Sequence, residues 1–171
     1  FDQDARITGL RADSIFGVGA HLTQNACITP MFAVTLSSGV YAIPAIRAQT
    51  RGIFTNCAST TPYRGAGRPE ASYMLERLLD QAAVEMKIDP VEIRRRNLIK
   101  SAQMPFQTAL FYAYDCGDFE TVMNKALKDA DWAGFEKRRA DSAKRGKLRG
   151  RGLSCDIESA TIVNDRMEIR F

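Results

Sequence analysis

From Ala71 onward the apolar residues keep a helical period without a break. Ala71, Met74, Leu75, Leu78, Leu79, Ala82, Ala83 and Met86 recur at i, i+3 and i+4. That spacing puts them on one wide stripe of an amphipathic helix. A stripe of this width must lie on a sheet or on other helices. Burying its three leucines contributes on the order of 5–9 kcal/mol before chain entropy is counted. With 171 residues the chain is long enough to supply the rest of one domain-sized core.

The elements around this helix are signalled locally. Asp89-Pro90-Val91-Glu92 puts an acceptor at the N-cap, Pro at N1 and Glu at N3 of a second helix. Ile88 and Ile93 occupy the staple positions, and the helix is predicted to end near Leu98. Its Arg94-Arg95-Arg96 run is read as last-turn charge that favours the helix dipole. A loop is expected over 100–117. Asp118 caps a third helix with Phe119, Val122, Met123, Ala126, Leu127 and Ala130 on one face. Trp132 and Phe135 begin a fourth, which Gly146 ends.

Before the helices, Arg6–Phe16 alternates loosely and follows a turn-like Asp2–Ala5 cluster, as between hairpin strands. Val40–Ile46 and Gln49–Thr55 read as a second strand region, with Pro44 marking an edge or bulge. Leu148–Ile157 and Arg166–Phe171 read as closing strands. Strands, then helices, then strands make an α+β chain rather than an alternating one. Residues 20–38 are mixed, and Gly17-Val18-Gly19 is no dinucleotide fingerprint.

Composition excludes several classes. At 45% hydrophobic and 26% charged the chain is neither disordered nor membrane-spanning. The net charge of +4 is local in origin. Eight basic residues fall within 137–151 against Asp141 alone, and the remainder has more acidic than basic side chains. A solvated face or a contact with an acidic subunit is the favoured reading of that stretch; nucleic-acid binding is the less favoured one. Cys27, Cys57, Cys116 and Cys155 form no closely spaced pair, so no zinc site is expected. Phe1-Asp2-Gln3-Asp4 does not read as a signal peptide. Scattered thiols without one are expected to be reduced in the cytoplasm. His21 has no evident triad partner.

The densest chemical signal is Thr60-Thr61-Pro62-Tyr63-Arg64-Gly65-Ala66-Gly67-Arg68-Pro69-Glu70. Two glycines let a ligand approach the main chain. Free N–H groups at a helix start, beside two arginines, suit an anion. Pro69 lacks an N–H, however, and Glu70 competes with an anion there. The same residues serve equally well as a tight structural start to a core helix.

Tyr63–Ala71, the long helix, and Asp89-Pro90-Val91-Glu92-Ile93-Arg94-Arg95-Arg96-Asn97-Leu98 together resemble the molybdenum hydroxylase family. That family holds xanthine dehydrogenase, aldehyde oxidase and the large subunit of carbon monoxide dehydrogenase. Ile43-Pro44-Ala45-Ile46-Arg47 and Tyr114-Asp115-Cys116-Gly117-Asp118-Phe119 extend the resemblance over nearly the whole chain. It implies that Tyr63, Arg64, Gly65, Ala66 and Gly67 lie against a molybdenum–molybdopterin cofactor, in its cytosine dinucleotide form. It further implies that Phe32 and Ala66 line the substrate pocket. Xanthine-oxidising members carry Phe at the Ala66 position and Arg at the Phe32 position. Carbon monoxide-oxidising members carry Cys at the Gly65 position. None of these is here, so an aldehyde or N-heterocycle is the implied substrate, with water as oxygen source.

The resemblance also implies iron–sulfur and FAD partner subunits. It places the family's glycine-rich motif before Phe1 and its catalytic glutamate beyond Phe171. The chain is thus expected to be an internal fragment. Residues 1–147 would form a cofactor-binding segment, and 148–171 strands leading to the next part of the large subunit. It would have no catalytic residue and no activity alone. A non-catalytic module of the same fold is the alternative.

Overall fold

In the computed structural model, residues 1–158 and 167–169 are described. The first three elements are a strand β1 (Leu10–Gly19), a short helix α1 (Ile28–Thr35) and a strand β2 (Ile46–Phe54). β1 and β2 pair in parallel, Leu10 opposite Ile46 through Phe16 opposite Gly52, with a register shift between Gly17 and Gly19. No hairpin forms from the first strand. The Asp2 turn is real: its Oδ1 accepts from the N–H groups of Asp4 (3.0 Å) and Arg6 (2.8 Å). It bends the chain into a non-ladder segment over 6–9. Asn97 holds that segment, accepting from the Ile7 N–H at 2.7 Å and donating to the Ala5 carbonyl at 2.7 Å.

The second strand expectation is half right. Val40–Ile43 meets the end of the second predicted helix instead of a strand. Tyr41 bridges Leu98, the Ala42 N–H donates to the Asn97 carbonyl and the Ile99 N–H to Val40. The mixed stretch 20–38 contains α1. Its residues, Ile-Thr-Pro-Met-Phe-Ala-Val-Thr, have no charged side chain, so no amphipathic period announces it.

Three helices form where sequence signals place them. α2 spans Arg68–Met86 and buries Ala71, Leu75, Leu79 and Ala83. Leu78 and Met86 do not join them; Leu78 is 46% exposed, so the buried stripe is narrower than the periodicity suggests. α3 spans Pro90–Asn97, and the Asp89 carboxylate accepts from the Val91 and Glu92 N–H groups at 2.8 and 3.1 Å. The expected loop 100–117 holds a minimal antiparallel pair, β3 (Phe106–Gln107) and β4 (Ala113–Tyr114). α4 spans Phe119–Asp129 under the Asp118 cap. It buries Met123 and leaves Val122 exposed. Trp132–Gly134 is a 3-10 turn, after which α5 spans Phe135–Ala143.

The main core joins Val40, Tyr41 and Ile43 to Leu75, Leu79, Ala83, Val91, Ile93, Leu98 and Met123. A smaller cluster packs Phe32 and Leu36 of the α1 region against Ala71. The expected strand at 148–157 forms no ladder among the described residues. Its alternation survives as packing: Leu153, Cys155 and Ile157 turn onto the main core. Of the strand expected over 166–171, residues 167–169 are outside any ladder; the other positions lie outside the described residues.

Candidate functional site

Tyr63 to Gly67 form the turn that feeds α2. Gly65 and Gly67 have φ of +89° and +86°, a region that favours glycine. The two are needed for different reasons. A Cβ on Gly67 would lie 2.4 Å from the Phe32 Cβ and 2.7 Å from the Ala33 nitrogen, so the loop is pressed onto α1. A Cβ on Gly65 would meet nothing nearer than the Pro69 ring at 4.0 Å. The backbone at Gly65 therefore faces open space. Tyr63 and Arg64 beside it are exposed, Ala66 is half-buried and Gly67 is buried.

The helix start is already satisfied from within. The Glu70 carboxylate accepts from the Gly67 N–H at 2.9 Å, so the negative charge expected to compete with an anion does occupy that position. The turn closes on itself through Ala66 N–H to Tyr63 carbonyl and Arg68 N–H to Gly65 carbonyl, both 2.9 Å. Arg68 packs its guanidinium over the Phe32 ring at 5.0 Å and forms an ion pair with Glu158. What the loop offers outward is Tyr63, Arg64 and the Gly65 main chain. Phe32, read as a pocket residue, is 7% exposed and stands behind the loop as its support.

A second support holds the segment before the loop. Gly19, at φ +87°, ends β1 where a Cβ would lie 2.3 Å from the Ser59 Cα. Across this close approach Ala20 N–H donates to Cys57 and Thr60 N–H to Val18. The Thr60 hydroxyl donates to the Gly17 carbonyl at 2.8 Å. The Gly17-Val18-Gly19 run is thus a backbone crossing, which the absence of a dinucleotide motif left without a role.

Sequence reasoning missed the charge cluster under α2. Arg94 is wholly buried. Its Nε donates to the Glu76 carboxylate at 2.8 Å, its Nη2 to Asp80 at 2.8 Å and its Nη1 to the Pro90 carbonyl at 2.9 Å. Tyr41 donates to the other Glu76 oxygen at 2.5 Å. Burial opposes the charge on Arg94, and Glu76 with Asp80 reverses that effect, so its pKa is raised. Burial raises the Tyr41 pKa, and Glu76 adds to it. Cys155, on the same side, is pushed up to about 11 by burial and by Glu76. The buried guanidinium tied to two carboxylates and a carbonyl acts as a clamp between α2 and α3. The signal present in sequence was slight: Glu76 and Asp80 lie one turn apart at the edge of the apolar stripe, beside Leu75 and Leu79.

The basic stretch is largely engaged with its own surroundings. Arg138 pairs with Asp131, Arg139 with Glu136 at 2.8 Å and Lys144 with Asp141 at 3.0 Å. Arg151 stacks on Trp132 and Phe135 at 4.3 and 4.6 Å. All four cysteines are free thiols. Among the described residues no group of three or more His, Cys, Asp or Glu is arranged to hold a metal ion. No helix there is long and apolar enough to cross a membrane.

These features define a mixed α and β segment in which α2 packs on α1 and α3, α1 packs on β2, and one internally closed glycine turn faces outward. The chain belongs to the molybdopterin cofactor-binding domain family, whose model matches residues 1–98. It is 31% identical over 160 residues to the nicotine 6-hydroxylase large subunit of Paenarthrobacter nicotinovorans, covering 92% of this chain and 19% of that one. It is 35% identical over 143 residues to the carbon monoxide dehydrogenase large chain of Hydrogenophaga pseudoflava, covering 80% and 17%. The fold matches the crystal structure of quinoline 2-oxidoreductase from Pseudomonas putida 86 with a TM-score of 0.78 at 29% identity, over 85% of this chain and 19% of that one. The chain thus corresponds to part of the large subunits of molybdenum hydroxylases and spans about a fifth of their length.

Proposed function

We propose that this chain forms one wall of the molybdenum–molybdopterin site in a hydroxylase large subunit. The carrying observation is Gly65: a main chain held at φ +89° with open space above it, flanked by exposed Tyr63 and Arg64. A large planar cofactor needs such a bare backbone, and its anionic groups need a cation nearby. The residues fit the group. Tyr63, Arg64 and Gly65 would face it, Ala66 would give a small pocket wall, and Gly67 would anchor the turn on Phe32. When bound, the cofactor supplies the redox chemistry that replaces a carbon–hydrogen bond with a carbon–oxygen bond, the oxygen coming from water. This chain's own contribution is to orient: Arg64 holds charge, and the locked turn keeps the wall from yielding.

An N-heterocycle or an aldehyde is the proposed substrate. The names of two relatives, nicotine 6-hydroxylase and quinoline 2-oxidoreductase, support the heterocycle. Ala66, with only a methyl side chain, would take up little of the space a flat ring needs. The cofactor is proposed in its cytosine dinucleotide form, with electrons leaving through iron–sulfur and FAD subunits. A cytoplasmic location is proposed, since four free thiols suit a reducing compartment. The 171 residues alone are proposed to be inactive, with 1–147 as the cofactor-binding segment and 148–171 leading to the next part of the large subunit.

The test is Arg64→Ala in the intact large subunit. Molybdenum content or turnover falls by about tenfold or more, the scale of one lost charge-assisted contact, while Tm is unchanged. Unaltered metal content and turnover would overturn the reading.

A further inference from the structure

Arg68 is out of place by helix electrostatics. It is the first residue of α2, where the helix dipole disfavours a cation. Glu70, on the same turn, is the residue that suits the position. Arg68 nevertheless has only 13% of its side chain exposed, so something other than the dipole holds it there.

Among the described residues, three contacts hold it. The guanidinium lies over the Phe32 ring at 5.0 Å, on the α1 residue that Gly67 also presses against. Its Nη1 comes within 3.5 Å of the Ala66 carbonyl oxygen, inside the turn. Its Nε is paired with Glu158. Glu158 belongs to a segment outside any helix or ladder that runs on from Arg151. That start is fixed by Trp132 and Phe135, and by a 2.9 Å bond from Arg151 to the Trp132 carbonyl. Between Arg151 and Glu158, Leu153, Cys155 and Ile157 lie on the main core. The segment therefore runs from the α5 end of the molecule to the glycine turn, and Arg68 is where it arrives.

We propose that Arg68 is a positioning residue: with Glu158 it braces the Tyr63–Gly67 turn against Phe32 and so fixes where the Ala66 wall stands. This rests on the functional reading above for its purpose, but not for its mechanics. Loss of the brace frees the turn while α2 beyond its first two turns stays intact.

Hydrogen exchange in the intact large subunit tests this. The amides of Ala66 and Arg68 close the turn, so a peptide covering 63–68 reports its opening. Arg68→Ala speeds exchange there about tenfold, the scale of a lost charge-assisted contact. Glu158→Gln, on a side chain 60% exposed, speeds it about threefold and cannot prevent folding. Arg68→Lys keeps the charge, loses the planar stack and falls between wild type and Arg68→Ala. Amides from Leu79 to Ala83 are unchanged in all three. The proposal is overturned if Glu158→Gln and Arg68→Ala both leave the turn at the wild-type rate. It is equally overturned if the α2 amides accelerate as much as the turn, which would make Arg68 a helix-stability residue only. Molybdenum content of Arg64→Ala separates the two ideas: unchanged metal with a loosened Arg68→Ala turn would sink the cofactor reading and leave the brace standing.

Discussion

Arg64 and Arg94 use the same side chain under opposite conditions. Arg64 is exposed on a turn of two left-handed glycines. Arg94 has no exposed surface, and its guanidinium is distributed over Glu76, Asp80 and the Pro90 carbonyl. The first leaves its charge available at little cost because water still solvates it. The second is taken out of water, which is tolerable only because each of its three nitrogens has an acceptor and two carboxylates balance its charge. The contrast teaches where to look for function in this chain: at the cation the fold leaves open, and not at the one it completes.

The largest effect should come from breaking the closed side. Arg94→Met leaves Glu76 and Asp80 without their cation and should cost about 3–5 kcal/mol, read as a shift in the urea midpoint. A loss under about 1 kcal/mol would mean that the cluster is not a clamp. Next is Gly67→Ala. The left-handed backbone alone costs about 1–3 kcal/mol, and the collision with Phe32 and Ala33 adds to it. Thermal melting should show it, together with a loosened turn; an unchanged Tm would show that α1 yields. Leu78→Ala is smaller. A buried leucine would lose about 2–5 kcal/mol, whereas this half-exposed one should lose about 1 kcal/mol or less.

The smallest effect concerns α3 and α4. Lys100 and Arg95 bond the Glu120 carboxylate, each at 2.8 Å, and hold its pKa below the ordinary 4.5. A depressed carboxylate pKa contributes stability above the ordinary value and loses it as pH falls through the folded-state value. Glu120→Gln should therefore lower the urea midpoint slightly at about pH 6 and not at all at about pH 2. An equal difference at both would exclude the ion pairs as its cause.

Much of the fold was legible, for identifiable reasons. α2 and α3 carry period and caps that act within a few residues, so Asp89 and the Leu75–Leu79 pair could be read directly. α1 could not, because a helix apolar all round has no period to detect. The parallel pairing of β1 with β2 links residues 36 apart by backbone bonds, and no local pattern encodes a partner that distant. Val40–Ile43 looks like a strand because it is as apolar as one, yet its partner is the end of α3. At the site, the glycines and Glu70 were readable by their own chemistry. The roles of Phe32 and Arg68 were not, since both depend on which residue the fold sets beside them. Arg94 does lie in the last turn of α3 as read, but its burial was not legible, because its carboxylate partners Glu76 and Asp80 sit on another helix.

Gly65 and Gly67 share a backbone conformation and differ in what surrounds them. At Gly67 a side chain collides with α1, so that position is closed to variation whatever the chemistry above the turn. At Gly65 a side chain meets open space, and the cost is confined to the dihedral, about 1–2 kcal/mol. A lineage can therefore re-face this wall with a new functional group without rebuilding what holds it. Specificity and stability become separately heritable, on residues two positions apart.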